Sequence, residues 1–454
     1  MRSPPCRCPP LSPCRSRSQA RSWGRPEVTA EQGGAKPLAG RRVAVVNWRD
    51  PEHSLAGGAE VYAWQFARAL HEGGAEVELL TAREPGQTAT AVTDGITVRR
   101  RGGVLGFYLF TALRLVARRR RLDAVIDPSC GLPVFSPLFV RRRTPVVLVM
   151  HHVHQAQFAT HFPPPVAAVA RWLERVLMPL VYRRSTVVAV SPSTIDEMRS
   201  QLGWRGPVGL LENGAALPDL GSGSPEDQDA DRVVVFGRLV AHKRVDVVLH
   251  ALAALRSERP RLRLDVVGEG PQRAVLEGTA LRLGLGHRVT FHGFVDEETK
   301  SALLGRAAVH VCASDAEGWG LTVIEAAGHG VPTLARDVPG LRDSILPGET
   351  GWLVPEPERT ADGAVDLDEV ARRLSARLLE VLATSGAADD RAPRFAACQA
   401  WAHQFDWALM RRQALDLVAG ELPHRLAART SVPAAPTRPR EERVAVMGGT
   451  TCVD

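Results

Sequence analysis

The sequence has few cysteines and no long hydrophobic run. Seven cysteines occur in 454 residues, an odd number, and three of them fall within the first fourteen. No disulfide framework is indicated, which is typical of a cytoplasmic protein. No segment approaches the roughly 20 consecutive apolar residues that span a bilayer. We therefore expect a cytoplasmic protein, and we keep open a peripheral position on the inner face of the membrane.

Lysine is also scarce, since three lysines stand against 54 arginines. The net charge of +7 is unevenly spread: residues 41–205 carry 22 basic and 13 acidic side chains, whereas residues 206–420 carry 23 and 31. A nucleic-acid partner is not expected, because only the total charge favours it and no recognisable motif accompanies that charge. The basic first half is compatible with binding to an anionic membrane or to an anionic substrate, and both alternatives stay open.

Short β-branched segments recur along the chain, and each is followed by a helical pattern. Alternation of this kind predicts parallel sheets covered by helices. The pattern runs from residue 42 to 150, pauses in a stretch rich in Pro, Gly, Ser and Asp, and restarts at residue 232. Two α/β domains are therefore expected, with a ligand cleft between the carboxyl ends of their strands.

The same patterns divide the chain into six segments. The two ends are rich in Pro, Arg, Ala and Ser and are expected to be disordered. The predicted segments are a basic tail (1–40), a first domain (41–216), a linker (217–230), a second domain (231–390), closing helices (391–420) and a second tail (421–454).

Two carboxylates eight residues apart form the most informative motif. Glu317 precedes a glycine-containing turn, and Glu325 lies about two turns into the helix that follows. The amides of Gly320, Leu321 and Thr322 open this helix, and free N–H groups at a helix start suit a phosphate. An ordinary surface helix with a cap remains an equally good interpretation of the motif alone.

Two cations follow a predicted strand of the second domain. Arg238 and Lys243 stand just beyond Val233–Phe236, where they can neutralise a diphosphate without a metal ion. Basic side chains in loops are often merely solvated. A lysine at this place is nevertheless informative, because the chain otherwise uses arginine so heavily.

Glycine turns follow strands in both domains. Gly268 ends a strand of the second domain, and Gly57 with Gly58 lies between the first strand and the first helix. Such turns let backbone approach a ligand closely. The three-glycine spacing of a dinucleotide fingerprint is absent, so each turn alone is a weak signal.

Three histidines follow another strand of the first domain. His151, His152 and His154 suggest a metal site, but His151 and His152 would point in opposite directions in an extended segment. No carboxylate is near in sequence, so a substrate-facing histidine is the preferred interpretation. No metal site and no cofactor are expected.

Two basic apolar stretches occur in the first domain, at 106–122 and 166–184. Each fits a helix lying on a membrane surface. Each also fits an amphipathic helix packed on a sheet, which is the favoured interpretation.

Taken together, these motifs resemble the retaining GT-B glycosyltransferases of family four, which include the phosphatidylinositol mannosyltransferases. The resemblance runs from Arg42 to about Trp407 and includes Gly57-Gly-Ala-Glu, Glu212-Asn-Gly and the Glu-x7-Glu segment. Glu212 stands where the family usually has proline. The resemblance implies two Rossmann-like parallel-sheet domains that face each other across a cleft. It places 41–216 on the acceptor side, makes 231–390 the donor-binding domain, and has the helices of 391–420 cross back to the first domain.

The resemblance also implies roles for residues. Arg238 and Lys243 would hold the donor diphosphate, Glu325 the ribose and Glu317 the transferred sugar. Phosphate and sugar oxygens would meet the amides of Gly320, Leu321 and Thr322. From the first domain, Gly57 and Gly58 would close over the donor and His151 would contact the sugar. His152 and His154 would face the acceptor.

The expected reaction is transfer of a hexose from a nucleoside diphosphate sugar to an acceptor hydroxyl, with retention and without a metal. Glycolipid, polysaccharide and small-metabolite acceptors all remain open, as do the donor's base and hexose. A nucleotide-sugar epimerase or phosphorylase on the same fold is the alternative enzyme. A non-catalytic sugar-nucleotide binding protein is the alternative outside catalysis.

Overall fold

The computed structural model describes residues 36–360, 364–384 and 388–427. Two α/β domains follow one another in the chain, each built around its own sheet. This confirms the architecture expected from the alternation of strands and helices. The first sheet has eight strands and the second has six.

The first sheet has the order β3-β4-β2-β1-β5-β6-β7-β8, and its pairs are parallel except for β3 with β4. Parallel sheets are buried on both faces, which explains the apolar runs that predicted β1 and β6. Its strands are β1 Arg42–Val46, β2 Glu76–Thr81, β3 Thr90–Thr93, β4 Ile96–Arg100, β5 Ala124–Ser129, β6 Val146–Met150, β7 Thr186–Ala189 and β8 Gly209–Leu210.

The second sheet is parallel throughout, in the order β11-β10-β9-β12-β13-β14. Its central strands β9 and β12 are the β-branched runs seen in the sequence. The strands are β9 Asp229–Phe236, β10 Arg263–Val267, β11 Val289–Gly293, β12 Ala307–Cys312, β13 Thr333–Arg336 and β14 Gly351–Val354.

Helices cover both faces of each sheet. Those of the first domain are α1 Gly58–Glu72, α2 Val104–Arg118, α3 Gln155–His161, α4 Pro164–Trp172, α5 Met178–Tyr182 and α6 Pro192–Leu202; a π-helical turn, Leu173–Leu177, joins α4 to α5. Those that follow are α7 Val245–Ala254, α8 Arg273–Arg282, α9 Glu297–Gly305, α10 Leu321–Gly328, α11 Leu341–Ser344, α12 Leu367–Thr384, α13 Ala388–Ala402 and α14 Trp407–Ala427.

The last two helices connect the domains. α13 packs against α10 of the second domain, and α14 packs against α1 of the first. Arg411 donates a hydrogen bond from Nη1 to Oε1 of Gln65 over 2.8 Å, and Leu415 lies against Gly73. One hydrophobic cluster therefore extends from the first sheet through α10 to α13 and α14.

Three expected boundaries are wrong. Residues 36–40 are ordered, because Leu38 is fully buried and its N–H donates to the carbonyl of Gly73. The linker ends earlier than residue 230, since β9 begins at Asp229. Residues 421–427 continue α14, where Leu422 is buried. The remaining parts of the two predicted tails, 1–35 and 428–454, lie outside the described residues.

The two basic apolar stretches both form helices on the same face of the first sheet. Phe107 and Leu115 of α2 share a buried cluster with Met178 and Tyr182 of α5. The favoured interpretation, packing on a sheet, therefore holds for one side of each helix. Among the described residues, no helix has the length and apolar character needed to cross a membrane.

Candidate active site

The first carboxylate of the Glu-x7-Glu segment forms an ion pair with a rare lysine. Oε1 of Glu317 lies 2.5 Å from Nζ of Lys243 and accepts a 2.7 Å hydrogen bond from the Ser314 hydroxyl. Both side chains are largely shielded from solvent, at 15% and 21% exposed. The loop after β9 and the loop after β12 thus meet at one charged pair, at the carboxyl edge of the second sheet.

Burial and pairing act in opposite directions on this pair. Burial alone would raise the pKa of Glu317, but the Lys243 ammonium outweighs burial and holds that pKa below its ordinary value. Burial would likewise lower the pKa of Lys243, and Glu317 raises it instead. Both groups are therefore charged at neutral pH, so a cation is available where a diphosphate would lie.

A second ion-pair network fixes the two loops that carry this pair. Asp315 accepts from Nε of Arg244 and from Nη1 of Arg336, each over 2.8 Å. Arg336 is almost fully buried and also makes two hydrogen bonds to Glu356. Because Arg244 follows Lys243 and Asp315 lies two residues before Glu317, the network sets the spacing of the charged pair.

The second carboxylate of the segment also has a lysine partner. Oε2 of Glu325 lies 3.6 Å from Nζ of Lys300 on α9, which also contacts Glu297 at 2.8 Å. Burial raises the pKa of Glu325, and the Lys300 ammonium counteracts this. Two of the three lysines in the chain therefore serve the two carboxylates of one motif.

The helix start between the carboxylates lies at the cleft. Gly320 caps α10 with φ +86°, a left-handed conformation that glycine adopts without strain. Leu321 and Thr322 then supply the first backbone N–H groups, which have no partner within a helix. The side chain of Leu321 lies against Gly58 of the first domain, close enough that a Cβ there would sit 2.5 Å from Cδ1.

Arg238 reaches across the cleft to the glycine turn of the first domain. Its Nη1 donates a 3.0 Å hydrogen bond to the carbonyl of Leu55, and a Cβ on Gly57 would lie 3.2 Å from its guanidinium. The structure therefore brings Gly57 and Gly58 against Arg238 and Leu321. This is the juxtaposition that closure over a donor requires.

A buried acid holds the glycine turn in place. Oε2 of Glu60 accepts a 2.7 Å hydrogen bond from the N–H of Gly57, and Oε1 lies 3.8 Å from Arg49. Glu60 is 4% exposed. Arg49 lies over the ring of Trp48, and its charge is near that of Arg238. A first-domain cation, which the sequence did not single out, thus stands close to the candidate diphosphate site.

His151 lies at the boundary between the domains. Its carbonyl accepts from the Thr194 hydroxyl and would be 2.5 Å from a Cβ on Gly318, next to Glu317. Its ring packs edge-on against Tyr62, and its Nε2 is buried with no hydrogen-bond partner among the described residues. Burial lowers the pKa of His151 to about 3, so the imidazole is neutral and available for hydrogen bonding.

The other two histidines differ in their surroundings. His152 is half-buried and bonds Gln157 over 2.9 Å, whereas His154 is buried and bonds Glu174 through Nδ1 over 3.1 Å. Burial lowers the pKa of each to about 3. His154 is committed to Glu174, so of the two only His152 is partly open to an acceptor.

Position 268 requires glycine because the backbone of another loop packs directly against it. It has φ +135°, and a Cβ there would lie 2.0 Å from the carbonyl oxygen of Gly237. The sequence predicted that the backbone at this glycine comes close to a ligand. In the structure, the backbone that comes close to it is that of the loop after β9. Gly268 supports the loop that carries Arg238, and its own contact with a donor stays a prediction.

The histidines do not assemble into a metal site. Across residues 36–360, 364–384 and 388–427, no group of three or more His, Cys, Asp or Glu side chains converges in a way that could hold a metal ion. Each imidazole instead has a different neighbour: His151 contacts Tyr62, His152 bonds Gln157 and His154 bonds Glu174.

Two family models match consecutive parts of the chain. Residues 56–217 match the model described as Glycosyltransferase Family 4, and residues 222–370 match Glycosyl transferases group 1. Two parallel-sheet domains with a charged Glu-x7-Glu segment at their cleft define a GT-B glycosyltransferase. Within that class, the chain belongs to the family-four type.

Individual relatives agree with this assignment. The α-D-kanosaminyltransferase of Streptomyces kanamyceticus is 28% identical over 301 residues, which are 60% of this chain and 75% of that protein. Other curated relatives, at about 30% identity, are matched over about half of their own length.

Solved structures share the fold. Sucrose-phosphate synthase from Thermosynechococcus elongatus superposes with a TM-score of 0.66 at 22% identity, covering 86% of this chain and all of that one. The Anabaena protein HepE, in complex with UDP and glucose, superposes with a TM-score of 0.61 at 19% identity, covering 84% and 100%.

Most of the residues expected at the site lie around one cleft: Arg238, Lys243, Glu317, Gly320, Leu321, Thr322, Glu325, Gly57, Gly58 and His151. The sequence analysis gave no role to Ser314, Asp315, Glu60 or Arg49. Asp315 and Arg49 come near Arg244 and Arg238 only in the tertiary fold. Ser314 and Glu60 had a local signal, because each bonds a residue three positions away. Lys300 had a usable signal, since it is one of only three lysines.

Proposed function

We propose that this protein transfers a hexose from a nucleoside diphosphate sugar to an acceptor hydroxyl, with retention at the anomeric carbon and without a metal ion. The observation that carries the proposal is the cleft edge of the second sheet. There Lys243 is charged and paired with Glu317, and Arg238 faces the glycine turn of the first domain. The proteins known to share the fold include one solved with UDP and glucose.

The reaction breaks the bond between the anomeric carbon and the diphosphate oxygen and forms one to the acceptor oxygen. Negative charge develops on the leaving diphosphate, where Arg238 and Lys243 supply positive charge. The acceptor's hydroxyl proton passes to the departing diphosphate oxygen. Preorganised charge of this kind accounts for about 10²–10³ in rate per group in well-studied enzymes.

Retention is proposed through attack on the face that the diphosphate leaves. A covalent intermediate would need a free carboxylate nucleophile. Glu317 is held by the Lys243 ammonium and the Ser314 hydroxyl, which favours a role as acceptor of sugar hydroxyls. Glu325 lies further along α10 and is proposed to accept from the ribose hydroxyls.

The partners include the nucleotide sugar and an acceptor whose chemical class is left open beyond its hydroxyl. The proposed position is cytoplasmic, with peripheral contact between the basic first domain and an anionic membrane. Epimerisation and phosphorolysis are less favoured, since the kanosaminyltransferase relative is a transferase by name. Product analysis with a labelled donor separates these reactions, because only transfer moves the label to a second substrate.

Lys243→Ala should abolish transfer while leaving the protein folded, which its circular dichroism spectrum checks. The matched control is Lys36→Ala, which removes an exposed lysine far from the cleft. Undiminished turnover by Lys243→Ala would contradict the proposal. Turnover of the wild type after exhaustive chelation tests metal independence, and the anomeric configuration of the product tests retention.

The donor is identified by a thermal-shift panel of UDP-, GDP- and ADP-sugars, because ligand that binds the folded state raises its apparent stability. A shift that disappears in Lys243→Ala and persists in Lys36→Ala would tie the bound donor to the cleft. No shift with any member of the panel would speak against a nucleotide-sugar site.

A further inference from the structure

Exposed apolar side chains are concentrated on one side of the first domain. The described residues include sixteen large apolar side chains that are exposed, and ten of them lie in three segments of this domain. We call them the apolar face: Leu109, Leu113 and Val116 of α2, Leu138, and Phe162, Val166, Val169, Trp172, Val176 and Leu180.

The ten side chains belong to a single surface. α2 and α5 pack on the same side of the first sheet, so their outer sides face away from it together. The segment carrying Leu138 lies between them: the hydroxyl of Tyr108 in α2 donates to the carbonyl of Leu132, and Phe135 contacts the ring of Tyr182 in α5. The spacing from Phe162 to Leu180 is three or four residues at every step, which gives a continuous helical stripe.

The charge around this surface has one sign. Segments 104–122, 136–143 and 162–184 contain twelve arginines and a single acidic residue, Glu174, which is fully buried. Arg114 is turned inward to pair with Glu78. The other eleven lie in the same three segments as the apolar face, at 118–121, 141–143, 171, 175 and 183–184.

We propose that the apolar face docks on an anionic lipid bilayer, with its apolar side chains in the interfacial region and its arginines at lipid phosphates. Apolar surface inserted beside basic groups is the pattern of a helix that lies in a membrane interface. Trp172 is suited to this depth, because its ring is apolar and its N–H is polar. A second copy of the chain fits less well, since two such surfaces would oppose arginine to arginine.

The docking surface is tied directly to the cleft. Glu174 lies in the π-helical turn behind Trp172, and its Oε1 accepts from the backbone N–H of His154 over 2.8 Å. Its Oε2 accepts from Gln155 over 2.8 Å. The helix on the bilayer and the loop carrying His151 and His152 therefore share one buried carboxylate. Resting on the proposed function, this places the acceptor side of the cleft beside the membrane surface.

The test measures flotation of the full chain with vesicles, without donor. Vesicles of phosphatidylcholine alone are compared with an equimolar mixture of phosphatidylcholine and phosphatidylglycerol. The wild type should bind the anionic vesicles at low salt, bind the neutral ones weakly, and lose affinity as salt is raised. Failure to bind anionic vesicles at low salt would overturn the proposal.

Two variants separate the apolar from the charged contribution. Val169→Ser, Trp172→Ser and Val176→Ser together should weaken binding about a hundredfold, since each side chain loses apolar contact. Arg119→Gln, Arg120→Gln and Arg121→Gln together should weaken it roughly tenfold or more and flatten its salt dependence. The basic residues of 1–35 are present in every variant, so their contribution cancels.

Matched controls lie on the second domain. Val275→Ser with Leu281→Ser removes exposed apolar side chains there, and Arg261→Gln, Arg372→Gln and Arg377→Gln remove three exposed charges. These should bind vesicles like the wild type; equal losses in controls and test variants would overturn the proposal. A wild-type dimer that the Trp172 triple variant dissociates would assign the face to a second copy instead. The donor thermal shift needs no lipid, so this outcome is independent of the proposed transfer reaction.

Discussion

The two domains use charge in opposite ways. The second domain places its charges at the cleft and pairs them there, as in Lys243 with Glu317 and Lys300 with Glu325. The first domain presents mainly neutral groups to the cleft, glycines and uncharged imidazoles, and keeps most of its arginines on its outer side. Under the proposed function, the second domain would serve bond breaking, while the first would shape the cleft and meet the partners.

Arg100 is one exception in the first domain, because its charge is satisfied inside the protein. It is 1% exposed and contacts Asp50, equally buried, at 2.7 Å. Arg100→Met should lower the free energy of unfolding by about 3–5 kcal/mol, since a buried carboxylate loses its partner. Chemical denaturation measures the loss. The neighbouring Arg101→Met, at an exposed position, should change it by less than about 0.5 kcal/mol.

The equivalent buried arginine of the second domain should respond differently. The partners of Arg336, Asp315 and Glu356, are about one-third exposed and can be hydrated when it is removed. Arg336→Met should therefore cost less stability than Arg100→Met. It should nevertheless reduce turnover, because Arg336 holds Asp315, which sets the spacing between the two loops that carry Lys243 and Glu317. Equal stability losses with unchanged turnover would remove this distinction between the domains.

Lys300→Met should raise the donor KM about tenfold and leave kcat close to the wild type. Burial raises the pKa of Glu325, and Lys300 opposes it, so the pKa should rise further when the ammonium is lost. Because ribose hydroxyls need the ionised carboxylate as acceptor, the acid limb of kcat/KM should move to higher pH. Lys36→Met is the control. A raised KM with an unmoved acid limb would show that Lys300 contacts the donor itself.

The first domain should lose stability on acidification through its neutral histidines. Burial lowers the pKa of His151 and His154 to about 3, whereas an unfolded chain has about 6.5. The unfolded state therefore binds more protons below about pH 6.5. The free energy of unfolding falls from there downward, by up to about 1.4 kcal/mol per pH unit for each histidine.

Denaturation curves between pH 7.5 and about pH 5 measure this slope. His154→Gln should flatten it, because the amide can still donate to Glu174 but takes up no proton. The exposed His250→Gln is the control and should leave the slope as in the wild type. An unchanged slope in His154→Gln would assign the acid sensitivity elsewhere.

Strand–helix alternation predicted the two-domain fold because parallel strands are buried on both faces and so appear as uninterrupted apolar runs. The Glu-x7-Glu segment was equally readable, since Gly320 and the helix after it are set by local geometry. The role of Asp315 was not, because its partners Arg244 and Arg336 belong to other segments that only the tertiary fold brings to it. The predicted start of the second tail, residue 421, is too early in the chain. Leu422 is buried, and α14 continues to Ala427 although its sequence pattern is no longer apolar there.

The crossing of α14 back onto α1 means that the chain passes between the domains twice. The two passages touch: the N–H of Ala215 donates to the carbonyl of Phe405 over 2.8 Å, and Ala215 forms a bridge with Asp406. The second domain is therefore one contiguous stretch of sequence, whereas the first consists of two stretches, because α14 returns to pack on it. A chimera that exchanges the donor half with that of a relative needs two junctions, one near Ala215 and one near Phe405, so that α14 stays with the domain on which it packs.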